Sequence, residues 1–119
     1  MLLFKKKFLA AIARGEKTQT IRLWKYRKMR AGQRSYIPGV GYISVLSVDE
    51  VTLPELTEDD ARLDGFDSAD ALRAEIQNLY GAALAAGSHA FRVRFRVLDP
   101  REQAEAVAER ESRRTPSSG

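Results

Sequence analysis

Gly15-Glu16-Lys17-Thr18-Gln19-Thr20-Ile21-Arg22-Leu23-Trp24-Lys25 is the segment on which the reading of this chain turns. It places an amine, two hydroxyls and a guanidinium within six positions, where a helix gives way to a β-prone run. Upstream, Phe4, Phe8, Ala11 and Ile12 recur at helical spacing, which predicts a helix over 4–14 with Lys5, Lys6 and Lys7 outside its apolar face. Gly15 fits the residue after that helix, because glycine adopts positive φ at little cost. Residues 17–22 then read as a short strand. In a regular strand Thr18, Thr20 and Arg22 share one face and Lys17 points the other way. Lys17 and Thr20 converge only if the chain bends after Gly15-Glu16. A turn-to-strand junction of this kind often sits at the mouth of a barrel, where ligands bind. The plainer alternative is a structural ion pair at Lys17 and ordinary strand threonines.

Downstream, residues 23–33 are basic and read as a loop, and 34–38 as a short strand closed by Pro38-Gly39. Residues 42–53 predict a long strand with a bulge near Ser47 or Asp49. Thr57-Glu58-Asp59-Asp60 has the form of a capping box opening a short helix that ends near Asp64-Gly65. A second helix is expected over 69–80, then a turn or frayed helix end over 81–88. Phe91, Val93, Phe95 and Val97 alternate with Arg92, Arg94 and Arg96, so residues 91–97 read as a strand with one apolar and one cationic face. Asp99 and Pro100 suit the start of a helix over 100–112 with little apolar surface. Residues 115–119 carry no cue for order. Helices and strands do not alternate regularly, which argues against a doubly wound sheet. The expected architecture is α+β: a small mixed β-barrel of about five or six strands with flanking helices. Residues 1–99 form one domain and 100–119 a helical extension and tail.

Composition narrows the chemistry. The chain has 119 residues, enough for one modest core, with 44% hydrophobic and 30% charged residues. It has no cysteine and one histidine, His89, which removes thiol nucleophiles and most metal sites, so no metal or cofactor is expected. His89 follows Gly87-Ser88 and reads as a surface turn residue. Gly39-Val40-Gly41 lacks the third glycine of a dinucleotide loop and leads into a strand, so it reads as a turn. No apolar run is long enough to span a bilayer, and the N-terminal basic residues lie inside the apolar stretch, the wrong order for a secretory signal. A cytoplasmic setting, with no membrane partner, is the expectation.

The net charge of +4 conceals a strong asymmetry. Residues 1–34 carry eleven basic residues against Glu16 alone, whereas residues 49–75 carry ten acidic and two basic residues. Either the two regions face one another or the basic one meets a polyanion. The arginines at 92, 94 and 96 could hold phosphates; pairing with the acidic segment is the expectation. Trp24 and Tyr26 sit among Lys25, Arg27 and Lys28, a mixture suited to stacking bases and holding phosphates. The alternative is a solvated loop with Trp24 turned inward. An acidic protein-interaction surface over 49–75 is a further possibility, with no named partner.

The segment 15–22 resembles the signature of the ASCH family, Gly-x-Lys-x-x-Glu-x-Arg, at Gly15, Lys17 and Arg22, with Thr20 in place of the glutamate. Leu23-Trp24-Lys25, Ala31-Gly32, the block Leu56 to Ala61, Asp64-Gly65-Phe66 and the strand Phe91 to Phe95 extend the resemblance over residues 2–98. It implies a fold similar to the PUA domain, an RNA-binding β-barrel, and a cleft for RNA or a modified nucleoside. The run Gly-x-Lys-Thr-x-Thr-Ile-Arg is also similar to that of family members that deacetylate N4-acetylcytidine. By that likeness Lys17 and Thr20 carry over as catalytic residues, and Asp64 stands where those members have a glutamate, one methylene longer. The chemistry implied is a Thr20 nucleophile served by a Lys17 base, with Asp64 as acid or orienter and Arg22 at the oxyanion. Gly15, Thr18, Arg22, Trp24, Lys25, Arg27 and Lys28 complete the expected ligand-binding set.

Overall fold

The computed structural model describes residues 1–114. The tail expected over 115–119 lies outside the described residues. In chain order the elements are α1 (Lys6–Ala13), β1 (Gln19–Trp24), β2 (Arg34–Ile37), β3 (Gly41–Val51), a 3-10 turn (Leu53–Glu55), α2 (Glu58–Asp64), α3 (Ala69–Ala85), β4 (His89–Val97) and α4 (Pro100–Arg114). The strands form one antiparallel sheet in the order β1-β4-β3-β2.

The mixed α+β class is observed, but the sheet has four strands, not five or six. Gly41–Val51 is spent on a single long strand, β3, and most of residues 58–85 on two helices, which leaves no fifth strand among the described residues. Of the two places expected for a bulge, near Ser47 or Asp49, the first is observed: Val45 pairs with Phe95 and Ser47 with Arg94, so Leu46 has no partner and stands exposed. One extra residue in a strand bends it and increases its twist, which helps curl so few strands.

Alternation divides the sheet into two buried faces. Val93 and Phe95 of β4 pack with Ile43 and Val45 of β3, Ile37 of β2 and Ile12 of α1. The opposite face takes Ile21 of β1, Ala90 of β4 and Val51 of β3 against Ala61 of α2 and Leu72 and Ile76 of α3. The arginines of β4 lie on this second face, and its acidic cover neutralises two of them. Asp60 Oδ1 is 3.2 Å from Arg92 Nη1 and 3.5 Å from Arg94 Nη2, and Asp49 is 3.6 Å from Arg92. Arg96 pairs instead with Glu102 of α4, at 2.7 Å.

Asp60 serves local structure too. Thr57 and Asp60 form the expected capping box: the Asp60 N–H donates to Thr57 Oγ1 at 3.1 Å and the Thr57 N–H to Asp60 Oδ2 at 3.0 Å. Helix α3 runs five residues beyond the expected end at Tyr80. Gly81 lies within it, and the alanines at 82, 83 and 85 favour helix strongly enough to carry it on. His89 opens β4 rather than lying in the turn, exposed, with its Nδ1 3.0 Å from Glu50 Oε1. Helix α4 docks mainly through polar bonds: Gln103 Oε1 accepts the Tyr42 N–H and Gln103 Nε2 donates to the Tyr42 carbonyl, each at 2.8 Å. None of the described helices is long and apolar enough to cross a membrane.

Candidate functional site

Helix α1 ends as its sequence requires. Gly15 has φ +77°, and the N–H groups of Glu16 and Lys17 both donate to the Ala11 carbonyl, at 2.9 and 3.2 Å. This wrap bends the chain before β1 begins. Thr18 then fixes the entry into the sheet through its backbone: its N–H donates to the Leu63 carbonyl at 2.9 Å and its carbonyl accepts the Phe95 N–H at 3.0 Å. The bend brings Lys17 to the same cavity as Thr20, the convergence that a regular strand would have forbidden.

On the other wall, α2 ends at Asp64 because Gly65 takes the left-handed conformation, with φ +87°. Lys17 Nζ lies 2.6 Å from Asp64 Oδ1 and also donates to the Asp64 carbonyl oxygen. Both side chains are almost fully enclosed, at 3% and 6% exposure. The second carboxylate oxygen, Asp64 Oδ2, is buried without a hydrogen-bond partner. Buried polar atoms are seldom left unpaired in folded proteins, so this oxygen adds to the cost of enclosing the pair. Burial pushes the Lys17 ammonium below its ordinary range, against the pull of Asp64, and Arg22 adds to the shift. Burial likewise pushes the Asp64 carboxyl up, against Lys17. Both groups are drawn towards their neutral forms, which makes transfer of the shared proton easier than it would be in water.

Thr20 follows on β1 and is buried. Its Oγ1 accepts from Arg22 Nε at 3.1 Å, which leaves the hydroxyl proton free for another acceptor. Arg22 also donates from Nη2 to the Leu3 carbonyl at 2.6 Å, and its guanidinium lies 4.7 Å from the centre of the Phe4 ring. Burial holds its pKa below the usual arginine value. Lys17 Nζ lies 4.7 Å from the centre of the Phe8 ring. Cations over ring faces are stabilised electrostatically, and part of the desolvation cost of this cluster is offset in that way.

Lys17, Thr20, Arg22 and Asp64 line one cavity of about 120 Å³. Its walls include Phe4, Phe8, Phe66 and Tyr80, and the exposed Leu3, Lys5 and Leu79 also border it, at the surface. The polar groups therefore sit at the inner end of an aromatic-walled cleft, the usual make-up of a small-molecule site. Phe66, part of the block Asp64-Gly65-Phe66, and Tyr80 are not among the expected site residues.

The remaining expected ligand residues lie elsewhere. Trp24 stacks on Phe91 with ring centres 5.5 Å apart and does not border the cleft. Arg27 donates to the Val48 carbonyl and lies over the Phe91 ring at 5.5 Å. Lys25 and Lys28 are exposed on the loop after β1. Gly15 and Thr18 shape the backbone that presents Lys17 but do not line the cleft. Strand geometry explains the separation, because each residue advances about 3.3 Å, putting Trp24 about 13 Å beyond Thr20. Among the described residues no cluster of His, Asp and Glu could hold a metal ion.

A curled antiparallel sheet, with helices on both faces and a polar-ended cleft beside its first strand, defines the class. No protein-family model matches the sequence, and no curated protein does. Solved structures do match. An ASCH domain from Lactobacillus crispatus superposes with a TM-score of 0.63 at 17% identity, covering 75% of this chain and 69% of that one. A protein of Enterococcus faecalis V583 from the family DUF984 gives 0.62 at 17% identity, covering 78% and 71%. The hypothetical protein PH0355 gives 0.66 at 13% identity, covering 81% and 95%. The chain has the fold of an ASCH domain.

Proposed function

We propose that the protein binds a modified nucleoside, free or within RNA, with the base in the cleft beside β1. The observation that carries this is the gathering of Lys17, Thr20, Arg22 and Asp64 in one cavity walled by aromatic rings. A flat base stacks on such rings, and the charged groups at the inner end supply donors and acceptors for its polar edge. Isothermal titration with N4-acetylcytidine and with cytidine tests the reading. Saturable binding, weakened at least tenfold in Phe8→Ala and Tyr80→Ala, is expected; no binding of either ligand to the folded protein overturns it.

A second reading, hydrolysis of the acetyl group, is favoured by the placement of Thr20 with the Lys17–Asp64 pair. In its neutral form the Lys17 amine accepts the Thr20 proton as Thr20 Oγ1 bonds to the acetyl carbonyl carbon. The C–N4 bond then breaks, and the proton passes to the departing amine. Water hydrolyses the acetyl-threonine ester, releasing acetate and restoring the hydroxyl. The cationic Arg22 beside Thr20 stabilises the developing oxyanion. Release of cytidine and acetate from N4-acetylcytidine, lost in Thr20→Ala and in Lys17→Ala, is the expected result. Binding without turnover would leave a binding module.

A further inference from the structure

A second cavity, of about 210 Å³, adjoins the nucleoside cleft. Arg22 lines both. The N-terminal segment runs past the two, with Leu3 at the first and Leu2 at the second, and is pinned by the Leu2 N–H donating to the Tyr36 carbonyl at 2.9 Å. The second cavity carries its own set of ring, cation and hydrogen-bonding groups. Trp24 brings the flat ring, Lys28 a cation, Gln33 an amide and Ser35 a hydroxyl. Lys28 is exposed and makes no ion pair or hydrogen bond among the described residues. Ser35 is 7% exposed, yet its Oγ has no hydrogen-bond partner. A buried hydroxyl without a partner is costly unless something else satisfies it.

We propose that this cavity is a subsite for the nucleotide next to the one in the cleft, so that the ligand is a single-stranded oligoribonucleotide rather than a free nucleoside. The phosphate linking the two nucleotides lies at Arg22, the residue common to both cavities, with Lys28 as its second cation. The neighbouring base packs against Trp24, with Gln33 and Ser35 on the same wall of the cavity. This assignment rests on the nucleoside reading of the cleft and adds the substrate's second unit. It also gives Trp24 and Lys28, which stand beside the cleft and not within it, a role at the adjoining nucleotide.

Trp24 is the only tryptophan in the chain, so its fluorescence reports on this cavity alone. The test titrates the protein with N4-acetylcytidine, with its 3′- and 5′-monophosphates, and with dinucleotides carrying N4-acetylcytidine in the first or second position. Affinity is measured by calorimetry in parallel. One dinucleotide is expected to bind at least tenfold more tightly than the nucleoside and to change the Trp24 emission, which the nucleoside leaves unaltered. Raising the salt from 50 to 200 mM should weaken the dinucleotide about 2.6-fold, the value for one neutralised phosphate on a single strand. The nucleoside should not respond to salt. Lys28→Ala is expected to weaken the dinucleotide at least threefold and leave the nucleoside unchanged, whereas Lys6→Ala, an equal loss of charge on the exposed side of α1, alters neither. Equal affinities for nucleoside and dinucleotide overturn the subsite and leave the cleft reading intact. Equal binding of a monophosphate and a dinucleotide confines the site to a phosphate and overturns the second base. If neither nucleoside nor dinucleotide binds, both readings fall together.

Discussion

Replacing both members of the Lys17–Asp64 pair should leave the protein as stable as before or more so, while replacing either alone should cripple it. The pair is 2.6 Å apart with side chains only 3% and 6% exposed, so each ion has lost nearly all its hydration. One carboxylate oxygen also goes unpaired. Removing a single partner of a buried ion pair strands the other charge and costs about 3–5 kcal/mol, whereas substituting apolar residues for both is often neutral or stabilising by about 1–4 kcal/mol. For 119 residues the unfolding entropy is about 250 cal/mol/K. Lys17→Met and Asp64→Leu alone should therefore lower Tm by about 12–20 °C, and the double variant should melt at or above the parent. Calorimetry and urea unfolding of the four proteins give the answer. Single variants within about 1 kcal/mol of the parent, or a double variant no better than the worse single, would show that burial of the pair carries no such cost. A pair that costs stability and yet lines an aromatic-walled cleft is what a working site looks like.

The pH dependence follows from the same pair. Burial raises the Asp64 carboxyl above 3.8, so the stability tied to it is fully present below that pH and is lost as pH rises through its folded-state pKa. Burial lowers Lys17 below 10.5, so its contribution is present above that pH and is lost as pH falls through its folded-state pKa. The stability advantage of the double variant should thus be largest near neutrality and narrow on both sides, as urea midpoints between pH 4 and 10 would reveal; a gap flat with pH contradicts this. Gly65→Ala meets no close contact, the nearest atom being Lys17 Cδ at 3.6 Å, so only its φ of +87° resists, costing about 1–2 kcal/mol. A measured loss below about 0.3 kcal/mol would remove the argument that Gly65 sets the end of α2. Thr57→Ala should cost about 1 kcal/mol for the lost cap, and Asp60→Ala about 3 kcal/mol, because Asp60 also counters Arg92 and Arg94; equal losses in urea unfolding would contradict the shared role. Glu102, bonded by the Arg96 side chain and the Asp99 N–H, should titrate at about 2 by NMR rather than 4.5, and its bond to Arg96 should weaken only as pH falls through that value.

Much of the fold is legible wherever one local rule acts alone. The left-handed Gly15, the Thr57–Asp60 box and the alternation of β4 each stand where their sequence signatures lie. The bulge lies beside Ser47, one of the two expected places, and pairing with β4 makes Leu46 the residue left out. The strand count is not legible, since closing a sheet depends on register and twist between distant segments. The end of α3 at Ala85 is missed because Gly81 reads as a stop, although a glycine within a helix costs only about 1 kcal/mol and the alanines around it compensate. At the site, Lys17, Thr20 and Asp64 share a cavity thanks to the wrap of two N–H groups onto Ala11, a bend the sequence permits without requiring. The basic run from Trp24 to Lys28 clusters with them in sequence alone, because an extended strand carries it away from the cleft. Phe66, in the loop after α2, and Tyr80, on α3, carry no sign of their place at the cleft, because only packing brings them there.

Whether a base enters the cleft can be read by methyl NMR. With Thr20, Leu72 and Ile76 methyl groups labelled, N4-acetylcytidine is titrated into the native protein and the shifts are followed. All three residues line the cleft, so their methyl resonances should move together and saturate with one affinity. Resonances that stay still while the ligand binds elsewhere, or no saturable change anywhere, would be incompatible with a nucleoside bound there.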